Sequence, residues 1–159
     1  MENKELFFSE IRNGELEKVK ELVAKNPDLA NSLDSRGSTP LILATYYEYA
    51  EIADFLLQNG VKVDAKDGSG NTALMGVCFK GYTDIAKNLI GAGANVNHVN
   101  SMGATCLIYA ATFNRLEIAE LLLQHGADNK AKDARGHTAL DHAKMQEATL
   151  LIELLEKYA

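Results

Sequence analysis

The sequence predicts an all-α solenoid of stacked helix-turn-helix units with protruding β-turn or hairpin loops, and three observations predict it. Four glycine-threonine pairs, Gly37/Thr39, Gly70/Thr72, Gly103/Thr105 and Gly136/Thr138, recur every 33 residues. Leu41, Leu74, Leu107 and Leu140 keep the same interval, as do Ile52, Ile85 and Ile118, and Gly60, Gly93 and Gly126. Within each copy the core-facing residues fall at i, i+3 and i+4, as in Leu41, Ala44 and Thr45 or Leu74, Val77 and Cys78. Independent positions sharing one period of this length mark a chain made of copies of one supersecondary unit, each burying its apolar face against the next.

Leu16 to Val23 aligns with Ala50 to Leu57 after a shift of 34, so residues 1–33 read as a charged, helical capping unit without an opening turn. Full units follow at 34–66, 67–99 and 100–132, opened by Asp34, Asp67 and Asn100; Asp133 opens the closing unit, 133–159. In each, the threonine precedes an apolar run, where its hydroxyl can accept from the free amides of a first helical turn. Pro40 then stands where its fixed φ suits the helix and its missing amide hydrogen costs nothing; Ala73, Cys106 and Ala139 take this place later. The second helix of a unit puts Ile52, Ala53, Leu56 and Leu57 on one side and Glu51, Asp54 and Gln58 towards water. Gly60, Gly93 and Gly126 follow at positions suited to a left-handed residue. The polar stretch Val63 to Gly70 implies a protruding turn and no sheet of any size. At the end, Gly136 to Ala143 runs into Leu150 to Leu155, with Lys144, Gln146, Glu147, Glu153, Glu156 and Lys157 available to cover the last face. Specialised ends lead to the expectation of one complete domain.

Asp34-Ser35-Arg36-Gly37-Ser38-Thr39-Pro40-Leu41-Ile42-Leu43-Ala44 resembles the opening of the ankyrin repeat, and Gly93-Ala94-Asn95-Val96-Asn97 resembles its ending. The resemblance covers nearly the whole chain. It implies inner and outer helix layers and a concave face of turn tips and inner helices that binds a partner protein. The family's inner-helix histidine, which links neighbouring turns, is replaced by Ile42, Met75, Ile108 and Asp141, so its bonds should be missing. The three apolar replacements also give the inner helices more apolar surface than the core stripe needs. Glu48 and Asn114 stand where the family prefers the glycine seen at Gly14 and Gly81; a left-handed backbone suits asparagine better than glutamate, so strain or a shifted turn is expected in the second unit.

A net charge of −6 works against tight binding to nucleic acid phosphates. The start Met1-Glu2-Asn3-Lys4-Glu5 lacks the pattern of a secretory signal and no apolar run is long enough to span a bilayer, which together lead to the expectation of a cytoplasmic location and no membrane partner. Cys78 and Cys106 occupy different positions within their units and read as packed free thiols, without the base or electropositive setting of a nucleophile. His98, His125, His137 and His142 show no metal-ligand spacing. Gly91-Ala92-Gly93-Ala94 ends a helix rather than cradling phosphate, and Glu117, Glu120, Asp54 and Asp84 sit on solvated helix faces. The expectation is a protein that is not an enzyme and has no cofactor or metal; a metal carrier or small enzyme using His125, His137 and His142 is the contrasting possibility.

Carrying the family's partner face over unit by unit gives Tyr46, Tyr47, Phe79, Lys80, Thr112 and Phe113 on the inner helices. The turn tips add Arg36, Ser38, Ser69, Asn71, Met102 and Ala104, followed by Arg135 and His137. Four of the six helix positions are aromatic in a chain with only six tyrosines and five phenylalanines, and such rings favour binding hot spots. Tyr109 is expected to pack beside Gly76, and Tyr49 and Tyr82 to pack within the turns between helices. The function expected is a monomeric, non-catalytic protein-protein interaction module; the alternative is an accessory, inhibitor or immunity protein acting on one enzyme.

Overall fold

The computed structural model describes residues 2–159 and contains, among them, ten α-helices and no strand. The helices pair in chain order: α1 (Glu2–Arg12) with α2 (Leu16–Lys25), α3 (Pro40–Tyr46) with α4 (Ala50–Gln58), α5 (Ala73–Lys80) with α6 (Thr83–Gly91), α7 (Cys106–Thr112) with α8 (Leu116–Gln124), and α9 (Ala139–Met145) with α10 (Thr149–Lys157). A short 3₁₀ helix, Pro27–Asn31, follows α2. The odd-numbered helices pack side by side as an inner layer, and the even-numbered ones line up behind them.

Local chemistry sets the helix starts. Thr39, Thr72, Thr105 and Thr138 each accept, through the hydroxyl, the amide three residues on, at 3.0–3.3 Å. Asp141 returns the contact in the last unit by accepting the Thr138 amide at 2.9 Å, which closes a capping box. The core runs the length of the stack through Phe7, Leu41, Leu74, Leu107 and Leu122 to Leu151.

The turn between the two helices of a unit is left-handed at Gly14, Glu48, Gly81, Asn114 and Glu147. Glu48 and Asn114 therefore adopt the backbone expected of them, and Glu147, read only as a capping charge, joins them. In the second unit the turn is not shifted: Tyr49 N bonds the Ala44 carbonyl as Tyr82 N bonds that of Val77.

Candidate functional site

Each turn tip is hung from one side chain. Asp34, Asp67, Asn100 and Asp133 each use Oδ1 to accept two amides, two and four residues on, at 2.9–3.0 Å. Neighbouring tips are tied through the backbone, Ser101 N to Ser69 O at 3.1 Å and Ala134 N to Met102 O at 3.2 Å. His98 Nε2 adds a bond to the Gly70 carbonyl at 3.0 Å.

Next to the tips lies the open face of the inner helices. Tyr46, Tyr47, Phe79 and Phe113 are 41, 45, 39 and 40 % exposed, and Met102 on its tip is 67 % exposed. The rings touch. Phe79 and Phe113, from neighbouring units, meet edge to face with centroids 4.6 Å apart, and Phe113 stacks on Tyr109 at 6.4 Å. Tyr46 lies edge-on to Tyr47 at 5.5 Å, and Lys80 Nζ from the next unit sits 4.7 Å above the Tyr46 ring. A groove of about 700 Å³ runs beside them, lined by Arg12, Asp34, Arg36, Ser38, Ile42, Leu43 and Tyr47 among others.

A family model described as "Ankyrin repeats (3 copies)" matches residues 6–67 and 74–159, and a second, "Ankyrin repeats (many copies)", matches residues 51–90. The chain belongs to the ankyrin repeat family. Ankyrin repeats are generally protein-protein interaction modules without chemistry of their own. In this ankyrin chain Met75 and Ile108, at the family's histidine position, are buried, so the surplus apolar surface expected there is absorbed by the core. Asp141, at the same position, is spent on the helix cap.

The expected face residues separate into groups. Arg36 and Ser69 are exposed with Met102, while Ser38, Lys80 and Thr112 are half-buried. Ala104 is corrected: it lies buried under its tip with its amide on Asn100 Oδ1, because the turn folds over it, and it offers no side chain to a partner. Asn71 is half-buried and accepts from Asn100 Nδ2 at 2.8 Å, and Thr112 donates its hydroxyl to the Ile108 carbonyl at 2.8 Å. Tyr109 is partly buried against the core, although it does not fill the space beside Gly76, where a methyl group would meet nothing within 4 Å. Tyr109 also stacks on Phe113 and accepts from Asn100 Nδ2 at 2.9 Å.

The seam between ankyrin units holds contacts that the sequence reading missed. Tyr49 donates its hydroxyl to the Arg12 carbonyl at 3.0 Å, and its ring lies where a side chain at Gly14 would sit. Arg115, two periods further on, reaches the Phe79 carbonyl in the same way, with Nη2 at 3.0 Å. Cys78 and Cys106 are free and buried, as expected; burial pushes the Cys78 thiol well up, and its bond with the Cys106 thiol pushes the same way. Of the histidines, His125 stands apart, with Nδ1 on the Leu121 carbonyl at 2.9 Å. His137 and His142 come together with Asp133, a residue that spacing of histidines alone could not reveal. Burial pushes the Asp133 carboxyl up, but hydrogen bonds from His142, His137 and Arg135 outweigh it and hold the group below its usual range.

Proposed function

We propose that this ankyrin-repeat chain is a non-catalytic module that docks a partner protein on the concave side of its inner helices and turn tips. What carries the reading is two touching pairs of exposed rings, Tyr46 with Tyr47 and Phe79 with Phe113, flanked by exposed Met102, Arg36 and Ser69. Large amphipathic rings held by their neighbours lose little side-chain freedom on binding, which is why such residues anchor interfaces. A standard interface takes about 800 Å² from each partner, an area on the scale of three inner helices with their tips. Residues 1–33 and 133–159 act as caps in this reading, and 34–66, 67–99 and 100–132 present the surface. The module works as a cytoplasmic monomer. No described helix is long and apolar enough to cross a membrane.

The test is affinity capture from native extract with the parent protein and with Tyr47→Ala/Phe113→Ala. The expected result is a stoichiometric partner protein that the double variant no longer retains, while the variant still melts cooperatively. Equal capture by both proteins rejects the surface; collapse of the fold returns the two rings to the core.

A further inference from the structure

Two consecutive units build the same bridge from different chemistry. In residues 100–132, Asn100 Nδ2 donates to Tyr109 Oη at 2.9 Å while Oδ1 shapes the turn. One period later, His142 Nε2 donates to Asp133 Oδ2 at 2.7 Å while Oδ1 shapes the turn in the same way. The turn itself needs only the oxygen, since the helix position that bears Tyr109 and His142 is Leu43 and Gly76 in the two units before, and where a polar helix partner is present it does not have to be a metal-ligand type. What the last unit adds is a third group. The His137 ring stands edge-on to His142 with centroids 5.5 Å apart, and no hydrogen bond from another described residue reaches it. One donor atom each from Asp133, His137 and His142 lies within 4.8 Å of the other two.

We propose that Asp133, His137 and His142 form a binding site for a divalent transition-metal ion of the zinc class. Two imidazoles with one carboxylate suit such an ion and leave a fourth position for water. The ion takes the place of the proton that His142 shares with Asp133, and rotation of His137 closes the remaining gap. The Arg135 and His137 amides on Asp133 Oδ1 serve as outer partners that fix the carboxylate's orientation. All three ligands are half-buried, so an ion has both a shaped site and a path to it.

The experiment uses the untagged, chelator-washed full chain, titrated with Zn²⁺ by calorimetry and with Co²⁺ by visible absorption. One equivalent should bind at sub-millimolar concentration, with the absorption bands of a four-coordinate nitrogen-oxygen site. His137→Ala should weaken binding by more than the roughly tenfold to hundredfold that an outer-shell partner is worth. Asp133→Asn/His142→Tyr transplants the Asn100-Tyr109 pair into the last unit; it should melt like the parent without metal and lose both binding and the Zn²⁺-induced rise in melting temperature. Should that double variant fail to fold, His137→Ala decides alone. No binding by the parent, unaltered binding by His137→Ala, or loss on His125→Ala instead would overturn the site.

Discussion

Tyr47 and Tyr49 stand two residues apart with their rings 6.1 Å from each other, yet they belong to different regions of the molecule. Tyr49 lies in the seam: its hydroxyl is bonded to the preceding unit, and its ring fills the space that Gly14 leaves free. Tyr47 lies on the open face, 45 % exposed, touching only part of the surface of its aromatic neighbours. The difference teaches that ring content alone does not mark a binding surface. What separates the two is whether the hydroxyl and the ring edge are already committed to the adjoining unit.

The most damaging way to probe the seam is Gly14→Ala. The residue has φ of 72°, and an added Cβ would lie 2.9 Å from the Tyr49 ring. A left-handed alanine costs about 1–2 kcal/mol before the ring is displaced, so chemical denaturation should show a loss of about 2 kcal/mol or more. Tyr49→Phe keeps the ring and removes the hydroxyl, and should cost about 1 kcal/mol in the same measurement. Tyr47→Ala on the open face should change stability by no more than about 0.5 kcal/mol, as at other surface positions. An equal loss for Tyr47→Ala and Tyr49→Phe would erase the distinction between seam and face.

A pH series separates the bridges of the last two units by a smaller margin. The Asp133 carboxyl is held below its usual range, so it binds protons less readily folded than unfolded. Its contribution is complete above the ordinary carboxylate range and is lost as the pH falls through the lowered folded-state value. Asp133→Asn, which copies Asn100, should therefore flatten part of the acid-side fall in melting temperature. An unchanged acid profile would show that the bridge is indifferent to the charge.

Much of the stack was legible because its causes are local. Threonine caps, helix-ending glycines and turn-opening Asx residues act within four or five positions of themselves, and a fixed period repeats the signal. The family's glycine preference likewise exposed the left-handed turns at Glu48 and Asn114. Contacts across the seam were not legible in this way. Tyr49 with Arg12 and Arg115 with Phe79 join residues 37 and 36 apart, and nothing near either end of the contact hints at the other. Ala104 was misplaced for a related reason: a tip position is exposed or covered according to how the turn folds over it, which its side chain does not encode. The Asp133-His142 bridge aligns with Asn100 and Tyr109 one unit earlier, but that pair too is visible only in the structure, because its members lie nine residues apart in different elements.

Because a single oxygen on Asp34, Asp67, Asn100 or Asp133 and a left-handed glycine three residues on hold each loop in shape, the side chains two residues after each anchor are released from architectural duty. Arg36, Ser69, Met102 and Arg135 follow those anchors by two residues, and each contributes only its amide to the anchoring bond. Folding instructions and recognition instructions are thus written at alternate addresses of one short segment. A lineage, or an engineer, could rewrite the second set while leaving the first untouched.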